Sequence, residues 1–142
     1  MRPPPTLEWI HVCDYAFRDE QGKLCLIGMF DHLASVQLPG RLPMLCVAFG
    51  LTDGLGEYPV SLRVTRPSGE NQDFPLPPVQ LKDRHAKARA VVRLASMPFP
   101  EFGTYVFQLV VDGQPMDAPV HVVEHVQARQ QAPPQPPPYP QG

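Results

Sequence analysis

The stretch from Glu101 to Gly113, Glu-Phe-Gly-Thr-Tyr-Val-Phe-Gln-Leu-Val-Val-Asp-Gly, leaves the chain few ways to fold. Tyr105, Phe107, Leu109 and Val111 fall on one side of an extended backbone. Thr104, Val106, Gln108, Val110 and Asp112 fall on the other. Side chains of a strand alternate with period 2, and Asp-Gly at the end of such a run signals a hairpin. A half-buried antiparallel strand of this kind needs a second layer over its apolar face.

The rest of the chain repeats the theme. From Leu7 to Tyr15 the residues Leu7, Trp9, His11, Cys13 and Tyr15 share a face, opposite Glu8, Ile10, Val12 and Asp14. Arg18 to Gly22 is a polar turn. Lys23 to Phe30 is apolar on both faces, which predicts a central strand covered on both sides, and Gly28 within it predicts a bulge or close backbone approach. Leu38 to Pro43 reads as a loop, Met44 to Leu51 as a second doubly buried strand, and Asp53 to Gly56 as a turn. Glu57 to Arg66 turns Tyr58, Val60, Leu62 and Val64 inward, with Pro59 marking an edge. Pro67 to Gly69 is a turn, and Phe74 to Val79 a proline-rich crossing between sheets. His85 to Ala95 alternates and reads as a strand, Met97 to Pro100 as a loop, and Pro119 to Val126 as the last strand. Seven or eight strands with regular turn signals and no amphipathic helix predict an all-β, two-sheet antiparallel sandwich of immunoglobulin-like form.

Composition sets the boundaries. The sandwich is expected over residues 7–126, preceded by a proline-rich lead at 1–6. It is followed by a Pro/Gln-rich tail at 127–142, whose sparse apolar content cannot offset the entropy of ordering it. One domain of that length buries a core without staples. A net charge of -2 gives no global pull toward nucleic acid or anionic membrane. Cys13, Cys25 and Cys46 are an odd set without a Cys-x-x-Cys pair, so they read as small buried hydrophobes in a reducing compartment rather than disulfide or zinc ligands. With no signal sequence and no long apolar run, a cytoplasmic location is expected.

Two segments carry a resemblance. Asp14-Tyr-Ala-Phe-Arg-Asp-Glu-Gln-Gly-Lys-Leu-Cys-Leu-Ile-Gly-Met-Phe-Asp31 is similar to the opening of a set of small bacterial proteins catalogued only as a domain of unknown function. The shared pattern is an Asp near the end of the first strand, then Gly-Lys, then a strand reading Ile-Gly-x-Phe. Gly-Thr-Tyr-Val-Phe with Val-Asp-Gly resembles the penultimate strand of that family and of immunoglobulin-like sandwiches generally. The resemblance spans roughly residues 7–126. It implies a sandwich and carries no activity or site residues.

Candidate chemistry is thin. Lys82, Arg84, Lys87, Arg89 and Arg93 form the densest charge cluster. On a strand, Lys87, Arg89 and Arg93 share a face with His85 along roughly 26 Å, a stripe that suits an anionic polymer or simply protects an edge. His121 and His125 share a strand face too far apart to chelate one metal. The aspartates near loops lack the Asp-x-Asp spacing of a shared calcium site. The serines lack a nucleophile elbow, and no phosphate-binding glycine loop occurs. Pro136, Pro137, Pro138 and Tyr139 match a Pro-Pro-x-Tyr ligand for aromatic grooves. The expectation is therefore a non-enzymatic protein-binding or scaffold module, with no cofactor or metal. Its partner is another protein or itself. Partner-binding candidates are Lys87, Arg89, Arg93 and Pro136 to Tyr139. A structural subunit of a larger, phage-like assembly and a binder of an anionic polymer are the alternatives. Nucleic acid, membrane and a small-molecule substrate are not expected.

Overall fold

The computed structural model describes residues 3–129, so Pro136, Pro137, Pro138 and Tyr139 lie outside the described residues. Twelve strands follow one another: β1 Thr6–Arg18, β2 Leu24–Met29, β3 His32–Ser35, β4 Gly40–Thr52, β5 Gly56–Tyr58, β6 Val60–Thr65, β7 Asn71–Pro75, β8 Val79–Leu81, β9 Ala88–Phe99, β10 Gly103–Val111, β11 Gln114–Pro115 and β12 His121–Gln127. One sheet has the order β2-β1-β4-β9, the other β3-β12-β10-β6-β7 with β11 beside β10, and β5 and β8 form a short ribbon. Among the described residues no helix is long and apolar enough to cross a membrane.

The two sheets meet through the alternation read from sequence. Tyr105, Phe107, Leu109 and Val111 of β10 and Tyr58, Val60, Leu62 and Val64 face Ile10, Val12, Leu45, Val47, Phe49 and Leu51 across one core. A fully buried side chain of this size contributes about 1.5–3 kcal/mol, so this layer dominates stability. β10 ends in a hairpin turn with Asp112 at φ 52° and Gly113 at φ 74°. That is the left-handed pair a tight two-residue hairpin requires.

Some expectations shift. β4 begins at Gly40 and includes Pro43, and β9 continues through Phe99, so two of the predicted loops are strand ends. His85 precedes β9, in a turn where Asp83 accepts the His85 amide at 2.8 Å. A register shift between Leu7 and Trp9 turns Leu7 into the core beside Ile10, on the opposite side from Trp9 and His11. One pairing is parallel, β3 with β12.

The largest correction is β2. It is an edge strand, and Ile27 and Met29 are 55% and 60% exposed. The two halves of β1 have different partners: β4 from Thr6 to Cys13, and β2 from Cys13 to Arg18. Beyond Cys13 the β1–β2 hairpin leaves the sheet. The Arg18 guanidinium donates to the Arg89 carbonyl, yet Arg89 lies in the same cross-strand row as Gly50 and Trp9. A straight strand would carry Arg18 roughly 30 Å beyond Trp9. The contact therefore requires the hairpin to double back over the outer face of its own sheet. Gly28, opposite Asp14 at the bend, has φ 70°, and a Cβ there would stand 2.5 Å from the Asp14 carboxylate. Ala16 and Leu26 from the returned hairpin close a second apolar cluster with Cys13, Cys46, Met44 and Val91.

Candidate functional site

The returning hairpin encloses an open trough of about 520 Å³ on the outer face of the first sheet. Its floor comes from β1 and its roof from β2. On the floor, Trp9 and His11 stack with ring centroids 5.6 Å apart and planes 18° from parallel. The sequence makes room for them. Gly50 lies beside Trp9 and Ala48 beside His11 on the neighbouring strand. A Cβ on Gly50 would stand 2.6 Å from the indole nitrogen, so only glycine lets the ring lie across β4. Leu24, Leu26 and Met29 form the roof, and Lys23 and Arg89 stand at the rim.

The turn that carries Lys23 is well fixed. The Asp19 carboxylate accepts the amides of Gln21 and Lys23 at 2.9 and 2.8 Å, and Gly22 takes φ 81°. Behind His11, at 6.3 Å and edge-on, stands His121. Its Nε2–H donates to the Phe30 carbonyl at 2.7 Å and its Nδ1 accepts the Val12 amide at 3.3 Å. A carbonyl only accepts and an amide only donates, so these partners place the proton on Nε2 and leave Nδ1 as the acceptor.

Of the three basic residues singled out from sequence, Arg89 and Arg93 lie in β9 on the side away from the main core, whereas Lys87 precedes the strand. The Lys87 ammonium pairs with Glu8 at 3.3 Å. Arg93 donates to the Ala16 carbonyl at 2.9 Å and lies 5.6 Å from the Tyr15 ring centroid, clamping the hairpin down. Arg89 alone of the three reaches the trough.

Sequence reasoning missed one pairing. Ser35 and His125 are ninety residues apart, and the parallel β3–β12 contact brings them together. The Ser35 hydroxyl donates to His125 Nε2 at 2.9 Å, and Nδ1–H donates to the Glu101 carbonyl at 2.7 Å. The order of groups is that of a nucleophile and its base. Its surroundings differ: His125 is 1% exposed, packed among Phe99, Phe102 and Tyr105. Gly40 closes over it so tightly that any Cβ would collide with the Ser35 hydroxyl and the imidazole. The arrangement ties β3, β12 and the 100–102 turn together. Tyr105 reinforces that turn, with its hydroxyl 2.9 Å from the Glu101 carbonyl. The only signal in the sequence was a histidine on an apolar strand face.

The cysteines are free thiols. Burial, with Cys46 and Asp14 nearby, pushes the Cys13 thiol up to about 11, far from the range of a reactive thiolate. Among the described residues no group of three or more His, Cys, Asp or Glu side chains is placed to hold a metal ion.

No curated protein matches the chain. A family model does, described as a family of unknown function, over residues 8–123. That stretch takes in the floor of the trough, the returning hairpin, strands of both sheets and the first three residues of β12. The chain belongs to this family of unknown function, DUF6941.

Proposed function

We propose that this chain is a non-enzymatic protein-binding module that docks an extended segment of another protein along the free edge of β2. The observation that carries the reading is how unprotected this edge is. Natural sheets blunt their edges with charge, proline or brevity. β9 carries Arg89, Arg93 and Pro98, β7 carries Asp73 and Pro75, and β3 is only four residues long. β2, Leu-Cys-Leu-Ile-Gly-Met, has neither a charge nor a proline. Strand addition at such an edge takes affinity from main-chain hydrogen bonds and specificity from alternate side chains. The closed surroundings of Ser35 and the high Cys13 pKa support a role without covalent chemistry, and three free thiols suit the cytoplasm.

The anionic-polymer reading draws less support, because Lys87 and Arg93 are already engaged within the fold. A second copy could use the same edge, which is the structural-subunit reading. The test introduces a photo-crosslinking residue at Tyr15, the cross-strand neighbour of Ile27, in otherwise unaltered chain and in Ile27→Lys. The expected result is a crosslink to an extended segment of a different protein, abolished by Ile27→Lys with circular dichroism unchanged. Capture that survives Ile27→Lys would overturn the reading. Crosslinks only between copies would replace the partner with self-assembly.

A further inference from the structure

We infer that the trough beneath the β1–β2 hairpin is a binding site for a small planar organic anion. The inference is independent of the docking edge, because Ile27 does not line the trough. At about 520 Å³ the space falls within the range of small-molecule sites, which are mostly apolar with a few placed polar groups. The floor dictates a flat ligand. The Trp9 and His11 ring planes lie 18° from parallel, the indole rests across β4 at Gly50, and the residue paired with His11 is the small Ala48. A flat ring laid on that floor stacks on aromatic faces, and Leu24, Leu26 and Met29 cover its other side.

The rim dictates the charge. Lys23 and Arg89 both line the trough, and among the described residues neither side chain pairs with a carboxylate. Arg18 adds a third positive charge there, since its guanidinium is held between the carbonyls of Gly22 and Arg89. On the hairpin turn, Asp19 accepts the Gln21 and Lys23 amides through Oδ1. Two free cations at the mouth of an aromatic, apolar slot complement a carboxylate or sulfonate borne on a ring system. A guanidinium meets such a group with paired donors. A long polyanion would find no comparable row, because Lys87 and Arg93 are occupied on either side of Arg89.

Trp9 is the only tryptophan of the chain, so its indole N–H gives a single resonance that reports on the floor. The experiment titrates the full chain with 1-naphthoate and, separately, with 1-naphthylmethylammonium, which has the same ring and the opposite charge. Saturable movement of the indole resonance is expected with naphthoate, and binding of the cation at least tenfold weaker. In Lys23→Met/Arg89→Met the naphthoate affinity should fall at least tenfold, with the dispersion of the remaining spectrum retained. Equal response to both probes, a response that never saturates, or undiminished naphthoate binding by the double variant would each overturn the inference. Ile27→Lys should bind naphthoate like the unaltered chain, so failure of the docking edge and failure of this site are read separately.

Discussion

Replacing Gly50 by alanine tests the architecture of the trough with one methyl group. The new Cβ would stand 2.6 Å from the Trp9 indole nitrogen and 2.8 Å from the adjoining ring carbon. Comfortable carbon contacts begin near 3.5 Å, so the indole must retreat by roughly 1 Å or tilt off β4. Overpacking of this kind costs about 1–3 kcal/mol. Removing backbone freedom from the unfolded chain returns about 0.4–1 kcal/mol, since Gly50 has no positive φ to forbid alanine. The steric cost wins, and a net loss of about 1–2 kcal/mol is expected. That is a fall of roughly 4–8 °C in Tm for a domain of this size. Urea unfolding should show a lower midpoint with unchanged slope. The indole emission should move to longer wavelength as the ring lifts toward water. Loss of stability without an emission shift would place the strain elsewhere. If both stay at their original values, Trp9 does not lie across Gly50 and the floor of the trough is wrong.

Two further outcomes follow from the same geometry. Ser35→Ala strips the buried His125 Nε2 of its donor and should cost about 1–3 kcal/mol in chemical denaturation; a fluorophosphonate probe should leave Ser35 of the unaltered chain unlabelled, and labelling would revive a catalytic reading. Iodoacetamide at pH 8 should modify Cys25 alone in the folded protein, because Cys13 and Cys46 are fully buried and the Cys13 thiol, pushed up to about 11, is roughly one part in a thousand thiolate at that pH; equal labelling of all three by mass spectrometry would contradict the second apolar cluster.

Much of the sandwich was legible because alternation is a local signal. The faces of β10 and β6 and the double burial of β4 follow from residue order alone, and the core contains the side chains that order selects. β2 misled for a physical reason. A strand that is apolar on both faces looks the same whether sheets cover both sides or one face merely folds back onto its own sheet. Leu26 is covered by the second cluster, while Ile27 faces solvent. The Leu7 face failed because a single extra residue in β1 reverses every side chain on one side of it. Trp9 and His11 were correctly placed on one face. Their partners Leu24, Lys23 and Arg89 come from a hairpin that doubles back and from the far edge, which no local pattern encodes. The Ser35–His125 bond had still less of a local signal, because it depends on the parallel pairing of distant segments.

That parallel pairing also has a consequence in time. β3 finds its partner only in β12, roughly ninety residues later. The first sheet lacks nothing once β9 is made, whereas β3 must wait for the last strand of the domain. At a synthesis rate of about 5–20 residues per second, residues 32–35 spend several seconds on a nascent chain with their backbone groups unmatched. The chain can therefore assemble one layer before β12 is made, and complete the second only after it. A chain halted before β12 would hold a half-built sandwich whose apolar core face is open to solvent.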